Sequence, residues 1–222
     1  MSTIANYLKE VPLFAGLSEQ ERERIAATCY RKTYRGRVSL FHKGDTGGQL
    51  YIVLRGVVKI FNVSPDTGQE KTIALLTSGE VFGEMALLTE GVRTASAITF
   101  QGDTELLQLD NREFAHLLRS SFDLIYCLLR NMASRLNKAN EDHLPGSSLS
   151  RVAKLLLAMA DPYSGRISPS LPQAEIAHFI GVTRETVARN LLCMEQSGYL
   201  KRNRGDIIIT NRIGLERIVP AN

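Results

Sequence analysis

Clustered metal ligands are missing from this 222-residue chain. Its three cysteines, Cys29, Cys127 and Cys193, stand far apart with no CxxC spacing, which argues against a zinc or iron–sulfur site. Their odd number and scatter suit reduced thiols buried as small hydrophobes. The four histidines, His42, His116, His143 and His178, are isolated and read as exposed or hydrogen-bonded rather than as haem ligands. No apolar run approaches the ~20 residues of a transmembrane helix. The opening Met-Ser-Thr-Ile-Ala-Asn lacks the basic-then-apolar layout of a secretory signal. A cytoplasmic location with no membrane partner is therefore expected. No nucleophile–base pair, metal triad or P-loop can be assembled, so the chain is expected not to be an enzyme. Excess charge is scarce as well. Residues 1–150 carry 17 Lys/Arg and 17 Asp/Glu, while residues 151–222 carry 10 against 6. That surplus equals the net charge of +4 and points the last third towards a polyanion.

What is present changes character along the chain. Residues 1–29 read as helical, with Ser18 and Glu21 forming a capping box and Ile25 and Ala26 facing inward. From about Tyr30 to Leu109, short β-rich runs (Leu50–Leu54, Val57–Phe61, Thr72–Leu76) alternate with glycines, the signature of a small barrel or jelly roll. Residues 110–144 read as one long helix. Leu118, Phe122, Ile125, Leu129, Met132, Leu136, Ala139 and His143 recur at alternating spacings of four and three, a seam suited to a partner helix. Leu117, Ile125, Leu128 and Leu129 are available to pack on the roll. Pro145-Gly146-Ser147-Ser148 breaks the helix, and Val152, Leu155, Leu156 and Met159 restart one. The expected architecture is α+β: a β-roll with N-terminal helices over 1–109, a dimerisation helix over 110–144, a hinge over 145–150 and a basic C-terminal domain over 151–222.

Two motifs carry chemistry. Val81-Phe82-Gly83-Glu84-Met85-Ala86-Leu87-Leu88, followed by Arg93-Thr94-Ala95-Ser96, reads as a phosphate-binding cassette. Gly83 lets the backbone approach a ligand, and the helix starting at Met85 and Ala86 offers N–H groups to an anion. Glu84 can accept from ribose hydroxyls, and the planar fork of Arg93 suits a cyclic phosphate. Residues 174–192 follow helix-turn-helix grammar: small Ala177, a turn at Gly181, apolar Ile176, Ile180, Val182 and Val187, and Thr183 as cap of the second helix. Arg184, Glu185 and Arg189 then occupy the part of that helix that reaches base edges. Tyr199–Ile209 reads as a β-hairpin wing in which Lys201, Arg202 and Arg204 would touch phosphates.

Cassette, seam, hinge and winged helix-turn-helix in this order resemble the catabolite-activator/FNR family of bacterial transcription regulators along nearly the whole chain. Arg184-Glu185-Thr186-Val187-x-Arg189 looks like the catabolite-activator recognition helix in particular. The resemblance implies a cyclic-nucleotide-responsive homodimer, a two-fold symmetric operator with TGTGA-like half-sites, DNA bending, and RNA polymerase as a partner met through the Asp161–Ser170 loop. It implies that Gly83, Glu84, Arg93 and Thr94 hold ribose and cyclic phosphate, and that Arg135 pairs with Glu84. Two adjacent polar residues on the long helix cap adenine in the cyclic-AMP activators; here those places hold Ala139, which has no side-chain donor, and Asn140, whose amide can serve adenine. Cyclic AMP is the expected effector. Cyclic GMP stays open through the Thr94 hydroxyl, as do a haem- or gas-sensing member and a constitutive one with a degenerate pocket. The stretch between Arg135 and Arg151 is nearly one helical turn shorter than the family pattern.

Overall fold

A computed structural model describes residues 3–89, 91–100, 103–141, 147–161, 164–167, 172–203 and 206–219, with backbone alone at 3, 137–141 and 147. The chain divides into two compact units: Met1–Val58 with Leu76–Asn140, and Lys59–Leu75 with Glu141–Asn222.

The first unit opens with helices α1 (Thr3–Leu8) and α2 (Glu19–Thr28). Ser18 and Glu21 form both halves of a capping box at the start of α2. Strands β1 (Tyr30–Arg35), β2 (Ser39–Phe41) and β3 (Gln49–Arg55) follow, then β4 (Val58–Val63) and β5 (Glu70–Leu76), of which the larger part belongs to the second unit. Next come β6 (Val81–Phe82), the single turn α3 (Met85–Leu88), β7 (Ser96–Thr99) and β8 (Asp103–Asp110). One antiparallel sheet has the order β1-β8-β3-β6, with Leu50 opposite Leu109 and Tyr51 opposite Phe82. Strand β3 is buried on both faces, which explains its unbroken apolar run. Alternation sends Leu50 and Ile52 into the core under the N-terminal helices, where Leu8, Phe14, Ile25 and Phe114 also lie. Tyr51 points to the opposite face and stacks on Phe82, with centroids 4.9 Å apart.

The long helix expected over 110–144 is two helices, α4 (Asn111–Ser120) and α5 (Phe122–Glu141). Ser121 is extended between them (φ −131°, ψ 108°), and its hydroxyl accepts from the Leu124 amide to begin the second helix. Leu118 therefore sits on α4 against the core, outside the seam. Helix α5 has two apolar faces. Leu124 and Leu128 are buried in the core, whereas Phe122, Ile125, Leu129 and Leu136 are exposed, Phe122 by 79%. The expected packing of Ile125 and Leu129 on the roll is thus corrected: one residue earlier on the helix does that work in each case. His143 and the Pro145-Gly146 break lie outside the described residues. Cys29 and Cys127 are half-buried, and burial pushes the Cys29 thiol up to about 12, but Cys193 is exposed rather than buried.

In the second unit α6 (Ser147–Met159) begins inside the expected 145–150 hinge and buries Val152, Leu155 and Leu156. Strand β9 (Arg166–Ile167), helices α7 (Gln173–Ile180) and α8 (Arg184–Gln196), the hairpin β10 (Leu200–Asn203) and β11 (Asp206–Ile209), and α9 (Arg212–Glu216) complete it. The strands form a sheet in the order β10-β11-β9. Residues Lys59–Leu75 of β4 and β5 pack on α7. Lys59 is fully buried, with Nζ 2.6 Å from Glu70 Oε2 and donating to the His178 carbonyl at 3.5 Å, beside the rings of Phe61 and Phe179. The Thr72 hydroxyl donates to the Phe179 carbonyl at 3.4 Å.

Candidate functional site

Strand β6 delivers Gly83 at φ +85°, a left-handed conformation that favours glycine. A Cβ here would also stand 2.6 Å from Arg93 Nη1, so the position excludes side chains twice over. Arg93 enters from a second segment whose backbone is tied down: its amide donates to the Asp45 carbonyl at 2.8 Å, and Gly44 N–H donates back at 2.9 Å. Arg93 is only 5% exposed. Nη1 donates to the Gly83 carbonyl at 3.0 Å and Nη2 to the Gln49 carbonyl at 2.7 Å. Nε is buried with no hydrogen-bond partner among the described residues. Burial pulls the guanidinium pKa down, against the opposing pull of Tyr51, Asp45 and Glu84.

Glu84 is 2% exposed. Its Oε1 accepts from Arg135 Nη1 at 2.7 Å, and Arg135 Nη2 donates to the Val81 carbonyl, so α5 is joined to the cassette through one arginine. Glu84 Oε2 is buried without a donor among the described residues. Met85 is half-buried, Ala86 buried and Thr94 exposed. Ala86 packs so close to Gly47 that a Cβ there would lie 2.3 Å away. The side chains of Ala139 and Asn140 lie outside the described ones. The cassette therefore carries an unmet buried acceptor on a carboxylate and an unmet buried donor on a cation. A ligand carrying hydroxyls and an anion meets both needs. Sequence reasoning missed Phe41, Gly47, Gln49 and Tyr51, which seat Arg93. Gln49 accepts through its carbonyl, which no residue type signals.

The second cluster lies on α7 and α8. Gly181 ends α7 in a left-handed conformation (φ 74°) and Thr183 caps α8, its hydroxyl accepting from the Thr186 amide at 3.2 Å. Ile176, Ala177, Ile180 and Val187 are buried; Val182 is half-buried. Arg184, Glu185 and Arg189 are exposed. Hydrogen bonds from its own amide and the Thr183 hydroxyl hold the Glu185 carboxyl below its usual range. Lys201 is exposed on β10. Arg202, expected at a phosphate, is instead committed to Glu195: Nε donates to Oε2 at 2.9 Å and its amide to Oε1 at 3.1 Å. It braces the wing against the recognition helix. Arg204 lies outside the described residues.

The cyclic nucleotide-binding domain model matches residues 31–121, and the Crp-like helix-turn-helix domain model matches residues 150–218. The Cyclic AMP receptor protein of Thermus thermophilus is 35% identical over 214 residues, covering 95% of this chain and 98% of its own. The chain belongs to the CRP/FNR family. A second relative, the CRP-like cAMP-activated global transcriptional regulator of Mycobacterium tuberculosis, is 29% identical over 81% of this chain and 83% of its own. The crystal structure of the Thermus thermophilus catabolite activator protein is 34% identical, covers 93% of this chain and 97% of its own, and superposes with a TM-score of 0.52. The chain is thus a cyclic-nucleotide-binding transcription regulator of this family, and its helix-turn-helix binds DNA. No described helix is long and apolar enough to cross a membrane.

Proposed function

We propose that the effector is cyclic AMP and that the chain acts in the cytoplasm as a homodimer whose liganded form binds a two-fold symmetric operator and meets RNA polymerase there. The observation that carries the ligand is a pair of buried polar atoms in the cassette, Arg93 Nε and Glu84 Oε2, with no hydrogen-bond partner among the described residues. Phosphate oxygens serve the first and ribose hydroxyls the second. The names of the two relatives favour cyclic AMP. In this reading Gly83, Met85 and Ala86 shape the phosphate cradle, Thr94 lies at its rim, Arg135 links Glu84 to α5, and Asn140 serves the base. The exposed stripe Phe122, Ile125, Leu129 and Leu136 supports a helix pair between subunits. Thr183, Arg184, Glu185 and Arg189 face the bases, and Lys201 and Arg204 the phosphates. Ligand binding shifts the population towards a dimer whose recognition helices stand about 34 Å apart, one turn of DNA.

Calorimetry with cyclic AMP and cyclic GMP, paired with operator titrations with and without each, tests this. Wild type binds cyclic AMP more tightly than cyclic GMP, and cyclic AMP strengthens operator binding. Arg93→Leu loses nucleotide binding while keeping a folded dimer. Tight binding retained by Arg93→Leu overturns the pocket assignment; preference for cyclic GMP overturns the choice of effector.

A further inference from the structure

A buried arginine needs compensation, and Arg93 has an unusual set. No carboxylate among the described residues lies within ion-pair distance of it. Instead two backbone carbonyls take its Nη groups, and Cζ lies 4.1 Å from the Phe41 ring centroid and 5.7 Å from that of Tyr51. A cation over a ring face is attracted by the ring quadrupole, more strongly where water is excluded. The rings are themselves fixed. Tyr51 is the register partner of Phe82 across β3 and β6 and stacks on it at 13°. Phe41 leans on both, with centroids 5.9 Å and 6.1 Å away. The β2–β7 register shifts between Ser39 and Phe41, the kind of irregularity that re-aims a side chain. Phe41 and Tyr51 thus flank the guanidinium, with Phe82 stacked on Tyr51.

We propose that Phe41, backed by Tyr51, is a positioning residue of the phosphate site. Its ring face holds the Arg93 guanidinium in its binding orientation before ligand arrives, so that the anion meets a preformed clamp and no ordering cost falls on binding. This rests on Arg93 being the phosphate ligand. Phe41 touches the nucleotide only through Arg93, so its effect depends on a flat guanidinium at position 93. A lysine ammonium keeps the charge and part of the attraction to the ring, but it has no planar fork for the ring to orient.

The test is a double-mutant cycle read by calorimetry with cyclic AMP, and with cyclic GMP as second probe. Phe41→Leu weakens binding about tenfold, and Phe41→Tyr, which keeps the ring face, stays within about twofold of wild type. Introduced beside Arg93→Lys, Phe41→Leu adds less than about twofold. Should Phe41→Leu fail to fold by thermal melt, Phe41→Met takes its place in the cycle. If Phe41→Leu binds like wild type, if Phe41→Tyr fails to rescue, or if the loss persists in full beside Arg93→Lys, the positioning role is overturned while the pocket assignment stands. If wild type binds neither nucleotide, or Arg93→Leu binds as well as wild type, the underlying assignment falls first.

Discussion

Replacing Gly83 by alanine separates backbone strain from interference with the anion clamp. Two costs add at this position. An L-residue at φ +85° is strained by about 1–2 kcal/mol, partly offset by about 0.4–1 kcal/mol from a stiffer unfolded chain. The new Cβ also stands 2.6 Å from Arg93 Nη1 and 3.0 Å from the Gln49 carbonyl oxygen. Those are the donor and the acceptor of the two hydrogen bonds that hold the guanidinium. Gly83→Ala must therefore release at least one. A hydrogen bond to a charged group is worth about 1.5–3 kcal/mol, so nucleotide affinity falls between about tenfold and a hundredfold. Gly68→Ala is the matched control: φ is +68° there, but nothing lies within 4 Å of the added carbon. Urea unfolding of both variants shows a similar loss of about 1 kcal/mol from the backbone term, with an extra loss at Gly83. Calorimetry with cyclic AMP shows weakened binding in Gly83→Ala alone. Wild-type affinity in Gly83→Ala, or an equal loss in Gly68→Ala, would refute the claim that this glycine exists to admit Arg93.

Leu129→Glu places a charge in the middle of the exposed α5 stripe and turns the dimer into a monomer by sedimentation velocity; an unchanged mass contradicts the proposed seam. Arg189→Ala relaxes preference at one base pair, by about 1–3 kcal/mol, whereas Lys201→Ala weakens all sequences alike and flattens the salt dependence. Equal behaviour of the two across a set of operators contradicts that division of roles. The hydrogen bonds of Arg202 hold the Glu195 carboxyl below its usual range. A depressed carboxylate contributes stability that is full above its unfolded pKa and is lost as pH falls through the folded one. The difference in urea midpoint between wild type and Glu195→Gln is accordingly widest near neutrality and closes in acid. A difference that is constant across that range shows that the Arg202 bond does not depend on ionisation.

Short-range features were legible and long-range ones were not. The turn at Gly181 and the cap at Thr183 lie within a few residues of the helices they join, so one window of sequence holds the whole device. The capping box of α2 is equally local. Apolar periodicity ran straight through Ser121, because a capping serine in one place is indistinguishable from a surface serine until the backbone turns. Periodicity also showed that α5 has apolar positions without showing which of its two stripes meets its own domain. In the cassette, Gly83, Glu84 and Arg93 stand within eleven residues, so type and order are enough to single them out as candidates. Phe41 and Tyr51 read only as strand residues, since what matters is the register that brings Tyr51 to Phe82. The Arg202 bond to Glu195 is not legible in the sequence, because charge alone does not say whether a partner is already in place.

The grouping of Lys59–Leu75 with the C-terminal unit has a consequence for how this regulator can be taken apart. A fragment ending at residue 140 would keep Lys59 and Glu70 but lose Phe179 and the His178 carbonyl, leaving a buried ammonium bare on one side. A fragment beginning at residue 141 would lose the same lysine from beneath α7. Chimeras that exchange reading heads between family members by a single cut therefore sever a joint that lies earlier in the chain. A single cut at residue 141 leaves the Lys59 and Thr72 side chains on one fragment and the carbonyls they donate to on the other.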